Sequence, residues 1–220
     1  MNINKMLGIN DSYQAPDQIL KILYDRKRRE DIFVKFLEAF NYDLSYDWFY
    51  DYFQEEHADR KYLKQDFTPV SVAELVSRLT GVGKGITYEG AAGTGGIMIR
   101  KWHVDRIQTS PFKYKPSNYL YECEELSDKA IPFLLFNTLI RGMNATIIHC
   151  DVLTRNCYGV FFVQNDKDDQ MHFSSLNVMP YTQDVADFFE VKFVEERYSK
   201  WVESKVFPSH LGVYRTRRAV

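Results

Sequence analysis

The sequence predicts an α/β fold in which a mostly parallel sheet is flanked by helices, behind an N-terminal helical cap. Three observations carry that prediction. Strand-like and helix-like segments alternate between residues 86 and 151. Each strand-like segment closes on acid: Glu89, the Glu122/Glu124 pair, and Asp151. The first of them runs into the small-residue loop Gly90-Ala91-Ala92-Gly93-Thr94-Gly95-Gly96. Such alternation folds into a parallel sheet, and the ligands of these sheets sit outside the carboxyl ends of the strands. At 220 residues the chain has room for one sizeable core. We divide it into a cap over residues 1–60 and a sheet domain over residues 61–220.

Composition narrows the class. With 45% hydrophobic and 26% charged residues the chain is globular in character. No apolar run reaches membrane-spanning length, and Met1-Asn2-Ile3-Asn4-Lys5 lacks the hydrophobic region of a signal peptide, so no membrane partner is expected. Cys123, Cys150 and Cys157 show no C-x-x-C spacing, which predicts a reducing cytoplasm and no metal site. A formal net charge of −2 argues against a stand-alone nucleic-acid clamp, which needs a basic excess to neutralise phosphates.

Residues 1–66 read as helical. Asp17 to Tyr24 carries apolar residues at helical spacing behind Pro16, and Ile32, Phe33, Phe36, Leu37 and Phe40 form a second stripe. Trp48, Phe49, Tyr52 and Phe53 form a third. These stripes suit core packing of a cap, or a surface for bases or a partner helix. Arg26-Lys27-Arg28-Arg29 suits a solvated helix face, with phosphate contact as the alternative. Thr68 is placed to cap a helix with Pro69 at its first position, whose buried face is Val72, Leu75, Val76 and Leu79.

The first strand then runs through Ile86 to Glu89, and a helix carrying Ile97, Ile99, Trp102 and Ile107 follows the glycine loop to about Gln108. Tyr119 to Glu124 is the second strand, Ile131 to Ile140 the second helix of the repeat, and Ala145 to Cys150 the third strand. Tyr158 to Val163 and Met171 to Met179 make a hairpin around a polar turn, and Gln183 to Ser204 reads as an amphipathic helix. Arg215-Thr216-Arg217-Arg218 leaves a basic tail.

The glycine loop suits a ligand laid against the backbone. Gly93, Gly95 and Gly96 permit positive φ and close approach, and the helix behind them offers free N–H groups. The spacing is not that of a phosphate loop, because Ile97 and Met98 stand where Lys and Ser/Thr would be needed. An acid at Glu89, just ahead of the loop, suits a cationic group such as an amino-acid ammonium. A tight turn without a ligand is the alternative.

Four ordered segments resemble one family, the N6-adenine DNA methylases of the type I modification-subunit kind. Gln65-Asp66-Phe67-Thr68-Pro69 resembles its opening Phe-Thr-Pro motif, and Glu89 to Gly96 is similar to its Asp-Pro-Ala-x-Gly-x-Gly-Gly loop. Tyr121 to Gly142, with Glu124 and Asn137, is similar to the next block, and Asp151-Val152-Leu153 resembles its Gly-Asp-x-Leu. The resemblance covers roughly residues 60–165. It implies a Rossmann-like methyltransferase fold and S-adenosylmethionine as cofactor. By the same resemblance Phe67, Thr68 and Pro69 contact the cofactor, and Glu89 binds its ammonium. Gly90, Ala91, Gly93, Thr94 and Gly95 line it, Glu124 holds its ribose, and Asp151 sits by its adenine.

One departure stands out. The family's Asn-Pro-Pro-aromatic motif, whose Asn and Pro accept from the target adenine and whose ring stacks on it, is due after Val163. Gln164-Asn165-Asp166-Lys167-Asp168 stands there, so Asn165 is the one candidate catalytic acceptor. The resemblance therefore implies an adenine-N6 DNA methyltransferase, or a methylase subunit of a restriction–modification system, with DNA held through a partner or specificity subunit. The alternative is a non-catalytic S-adenosylmethionine binder acting as a regulator, with the aromatic cap or the 158–179 hairpin as its protein-interaction surface.

Overall fold

The structure, a computed structural model, describes residues 2–56, 68–81, 83–108, 110 and 113–206. Helices α1 (Ile3–Leu7), α2 (Ala15–Leu23), α3 (Arg26–Ala39) and α4 (Tyr50–Glu56) build the cap, as the stripes predict. Pro16 and Asp17 occupy the first turn of α2, where a missing N–H costs nothing and an acid meets the helix dipole. The Asp25 carboxylate accepts from Arg28 N at 3.1 Å and caps α3.

The sheet follows. Strands β1 (Gly85–Glu89), β2 (Tyr119–Glu125) and β3 (Ala145–Cys150) are parallel neighbours, joined through α6 (Gly96–Gln108) and α7 (Ile131–Ile140). β4 (Asn156–Gln164) turns back antiparallel to β3, and β5 (Ser175–Val178) is antiparallel to β4. A short β6 (Lys192–Phe193) pairs parallel with the start of β4. The architecture is α/β, with a mixed, largely parallel sheet and flanking helices, and is compatible with a Rossmann-like fold. Strand order follows chain order, which leaves β1 at an edge with Tyr88 52% exposed. Among the described residues no helix is long and apolar enough to cross a membrane.

Cap and sheet share one core. All ten residues of α7 are buried, because one side meets the sheet and the other meets the cap. Phe33 and Phe36 reach Phe136 with ring centroids 4.7 and 4.8 Å away, and Phe49 meets Phe133 at 4.9 Å. A buried Phe side chain contributes about 1.5–3 kcal/mol, so these stripes are core rather than a surface for bases or partners. The strands of the 158–179 hairpin are also internal, since β4 lies between β3 and β5 and all of β5 is buried, while the turn between them is exposed, with Met171 in water. The opposite sheet face packs Ile148 and Val160 against Val185 and Phe189 of α8 (Gln183–Phe189).

Four expectations change. The segment after residue 183 is helical only to Phe189. Glu190 turns left-handed, and the chain then runs along β4 and β5, with Val194 N bonded to Cys157 O and Val178 N to Trp201 O. Backbone partners offered by two strands outweigh the helical period there. In α5 (Val70–Leu79), Pro69 occupies the N-cap position and Thr68 lies one residue outside it. The buried α5 side chains are Ala73 and Ser77, while Val72, Leu75 and Leu79 are 42%, 56% and 77% exposed. The helix packs on α6, and small side chains allow that close approach. Finally, Arg29 is fully buried rather than solvated. It donates to Glu203 Oε1 and Oε2 at 2.8 and 2.7 Å, joining α3 to the C-terminal segment.

Candidate ligand site at the ends of β1 and β2

Strand β1 delivers Glu89 to the carboxyl edge of the sheet, where it registers with Cys123 of β2. The loop that follows needs its glycines at two places. Gly93 has φ 55° and Gly95 φ 96°, and a Cβ on Gly95 would lie 2.8 Å from Leu134 Cδ1. The loop is pinned from both sides. Ala92 N donates to Glu124 O at 3.0 Å, and Gly93 N donates to Glu125 Oε2 at 2.7 Å.

Thr94 does not face outward. Its hydroxyl donates to the buried Asp47 of the cap. Asp47 also accepts from Phe49 N at 2.9 Å and from Asn137 Nδ2 at 2.8 Å, and that amide nitrogen also reaches Thr94 O. Asn137 Oδ1 in turn accepts from the buried Arg141 at 2.8 Å. Burial pushes the Asp47 carboxyl above its ordinary range, against the pull of these donors. The network is closed, so it positions the loop and offers nothing to a ligand.

Glu89 differs. Burial raises its carboxyl from an ordinary 4.5 to about 8, the Met98 amide of α6 pulls it down, and the Glu125 carboxylate pushes it up. Its Oε2 is out of contact with water and has no hydrogen-bond partner. A desolvated carboxylate with an open valence is costly unless a cation or donor completes it. The neighbouring Cys123 thiol is raised well above its ordinary value by burial and by Glu89, Glu122 and Glu125, so this corner repels further negative charge.

Glu124 is already engaged. Arg155 donates to Oε2 at 2.6 Å and to Oε1 at 3.1 Å, and Tyr88 OH donates to Oε2 at 3.1 Å. Arg155 also reaches Phe189 O and Glu190 O past the end of α8, from a left-handed φ of 61°. Asp151 closes its own turn, accepting from Leu153 N at 2.9 Å and Thr154 Oγ1 at 2.8 Å. These bonds hold its carboxyl below the usual range.

The sheet edge therefore brings together Glu89, Gly90, Ala91, Gly93 and Glu124, with Asp151 on the turn that carries Arg155. Thr68 and Pro69 lead into α5, and Phe67 lies outside the described residues, as does the basic tail. Asn165 is elsewhere. It follows β4, whose end registers with the start of β3, so it sits at the opposite edge of the sheet. Its amide is spent there: Nδ2 donates to Gly142 O and Asp169 O, and Oδ1 accepts from Asp169 N. Sequence reading missed Asp47, Glu125 and Arg155. Arg155 and Asp47 belong to segments far from the loop in sequence, and no local pattern announces such partners. Comparison of the chain with family models, with curated proteins and with solved structures returns no match.

Proposed function

We propose that this chain is a methylase-like binder of S-adenosylmethionine, with the ligand lying across the carboxyl ends of β1 and β2. One observation carries the reading: the desolvated Glu89 oxygen with no partner, beside a loop whose backbone is open to close approach. An ammonium group there would supply the missing hydrogen bond and a positive charge that draws the carboxyl back to its ionised form. Gly93 and Gly95 would let the ligand pass along the backbone. Glu124 would take a ribose diol once Arg155 shifts, because both its oxygens are engaged. When bound, the group supplies an electrophilic methyl on sulfur.

Transfer of that methyl to adenine-N6 in DNA, with the strand presented by a partner subunit, is the enzymatic form of this proposal. Proximity and amine acceptors are what such a transfer needs. The position of Asn165 at the far edge favours the second form, a binder that regulates or accompanies a modification system. Calorimetric titration of S-adenosylmethionine separates the cases. Wild type is expected to bind, and Glu89→Gln to lose about tenfold or more, as for a charged hydrogen bond. Gly93→Asp, which places a side chain at φ 55°, is expected to abolish binding. No heat with wild type would overturn the reading. A methyl-transfer assay on adenine-containing DNA then tells enzyme from binder.

A further inference from the structure

A second surface, on the flank of the molecule, gathers three arginines and a histidine around two carboxylates, Asp43 and Glu74. Arg100, His103 and Arg106 follow each other at three-residue spacing along α6, beside the cap loop Asn41–Tyr46. Arg100 reaches Ser45 O at 3.5 Å, and Asp43 of that loop is the carboxylate whose field is felt by both His103 and Arg106. From below, the buried Arg141 donates to Leu44 O at 3.0 Å and Tyr46 O at 2.6 Å, which holds the loop in place and adds a fixed charge.

The cations outnumber their partners. Arg100 meets Glu74 at 3.4 Å, but its Nε is buried and unpartnered, as is Nδ1 of His103. Among the described residues Arg106 forms no ion pair, and its guanidinium lies 4.7 Å over the Trp102 ring. Burial lowers both Arg106 and His103, and Arg100, Arg106 and Arg141 lower His103 further. Half-desolvated guanidinium groups crowded in this way are relieved by an anion, beside a histidine held towards its neutral form.

The loop adds aromatic rings. Asn41 and Tyr42 are consecutive left-handed residues at φ 52° and 58°, and Tyr42 is 64% exposed. A tyrosine is strained in that region, and its side chain is open to water. Tyr46 is 37% exposed on the same loop.

We propose that α6 and the 41–46 loop form a contact surface for single-stranded nucleic acid. Arg100 and Arg106 take separate phosphates, and Tyr42 and Tyr46 offer faces to unpaired bases. The surface goes beyond the ligand site at Glu89 and does not require it.

The test is fluorescence anisotropy with a labelled 20-nucleotide mixed-sequence single strand and the full chain at 50, 100 and 200 mM NaCl. Binding by wild type is expected to weaken steeply with salt. The double variant Arg100→Gln/Arg106→Gln is expected to flatten the log–log salt slope by about 0.7 per lost phosphate contact. Tyr42→Gly is expected to weaken binding roughly tenfold through lost stacking while raising the melting temperature, an opposition that a purely structural tyrosine would not give. Absence of wild-type binding at 50 mM NaCl overturns the surface. So does an unchanged slope in the double variant, or an equal loss from Arg26→Gln/Lys27→Gln/Arg28→Gln on α3. Full competition by inorganic phosphate at matched phosphate concentration would assign the patch to simple anions and overturn it too. Calorimetry with S-adenosylmethionine on the same double variant is expected to match wild type, which separates failure of this surface from failure of the ligand site.

Discussion

Asp47 and Glu89 are carboxylates that have lost water on either side of the same glycine loop, and they are held in opposite ways. Asp47 accepts from Thr94, Asn137 and Phe49, and lies near Arg141 through Asn137. Glu89 has one backbone amide of α6 in reach and an oxygen with no partner. A buried polar group that is fully bonded fixes structure, whereas one left open carries a cost that only something outside the fold can remove. Position alone would have grouped the two. Their bonding separates a strut from a binding group.

The largest expected effect comes from breaking the strut. Asp47→Ala leaves the Thr94 hydroxyl and Phe49 N without this acceptor, leaves Asn137 Nδ2 with Thr94 O alone, and removes the carboxylate whose field the buried Arg141 feels most. A loss of about 3–5 kcal/mol is expected in denaturant unfolding. A loss below about 1 kcal/mol would mean that the network is incidental to loop position.

The same contrast extends to the far edge of the sheet. Asn165→Ala removes the bonds to Gly142 O, Asp169 O and Asp169 N, and should cost about 2–3 kcal/mol. Affinity for S-adenosylmethionine should stay unchanged, since the two edges share no contact through this residue. A selective loss of ligand affinity, with stability intact, would return Asn165 to the ligand site.

A smaller cost, about 1–3 kcal/mol, is expected for Gly95→Ala, from a Cβ against Leu134 and a φ of 96°. Because Gly95 directly follows Thr94 in the glycine loop, this variant should lower stability and ligand affinity together.

The last test is on Glu89 and is read against pH. A folded value of about 8 against an ordinary 4.5 means that the native state holds the extra proton between these pH values. The favourable contribution of the protonated group is therefore complete below about pH 4.5 and is lost as pH rises to about 8. Glu89→Gln should remove that slope, about 1.4 kcal/mol per pH unit between these values, and so gain on wild type by roughly 4 kcal/mol at pH 8. Parallel stability–pH curves for wild type and variant would show instead that Glu89 keeps its charge in the fold.

Much of the architecture was legible in sequence because it rests on local signals. The bounds of α7 and β3 follow from unbroken apolar runs between turn residues, and the hairpin from its polar turn. The glycine loop was legible because φ 55° and 96° at Gly93 and Gly95 demand a residue without Cβ. The expected helix at 183–204 failed beyond Phe189 because its amphipathic period had to compete with strand partners that only the folded sheet presents.

By itself, then, the sequence determined the α/β class, the helical cap, and the acid at the end of each parallel strand, all set by periodicity and turn chemistry over short spans. The tertiary structure alone decided what those acids do. Glu124 is paired by Arg155, Asp151 caps its own turn, Asp47 arrives from the cap to hold Thr94, and Glu89 is left open. Hydrogen-bond partners and loss of water depend on which distant segments the core brings together, and hydrophobic patterning says where a segment packs without saying which polar groups it carries there.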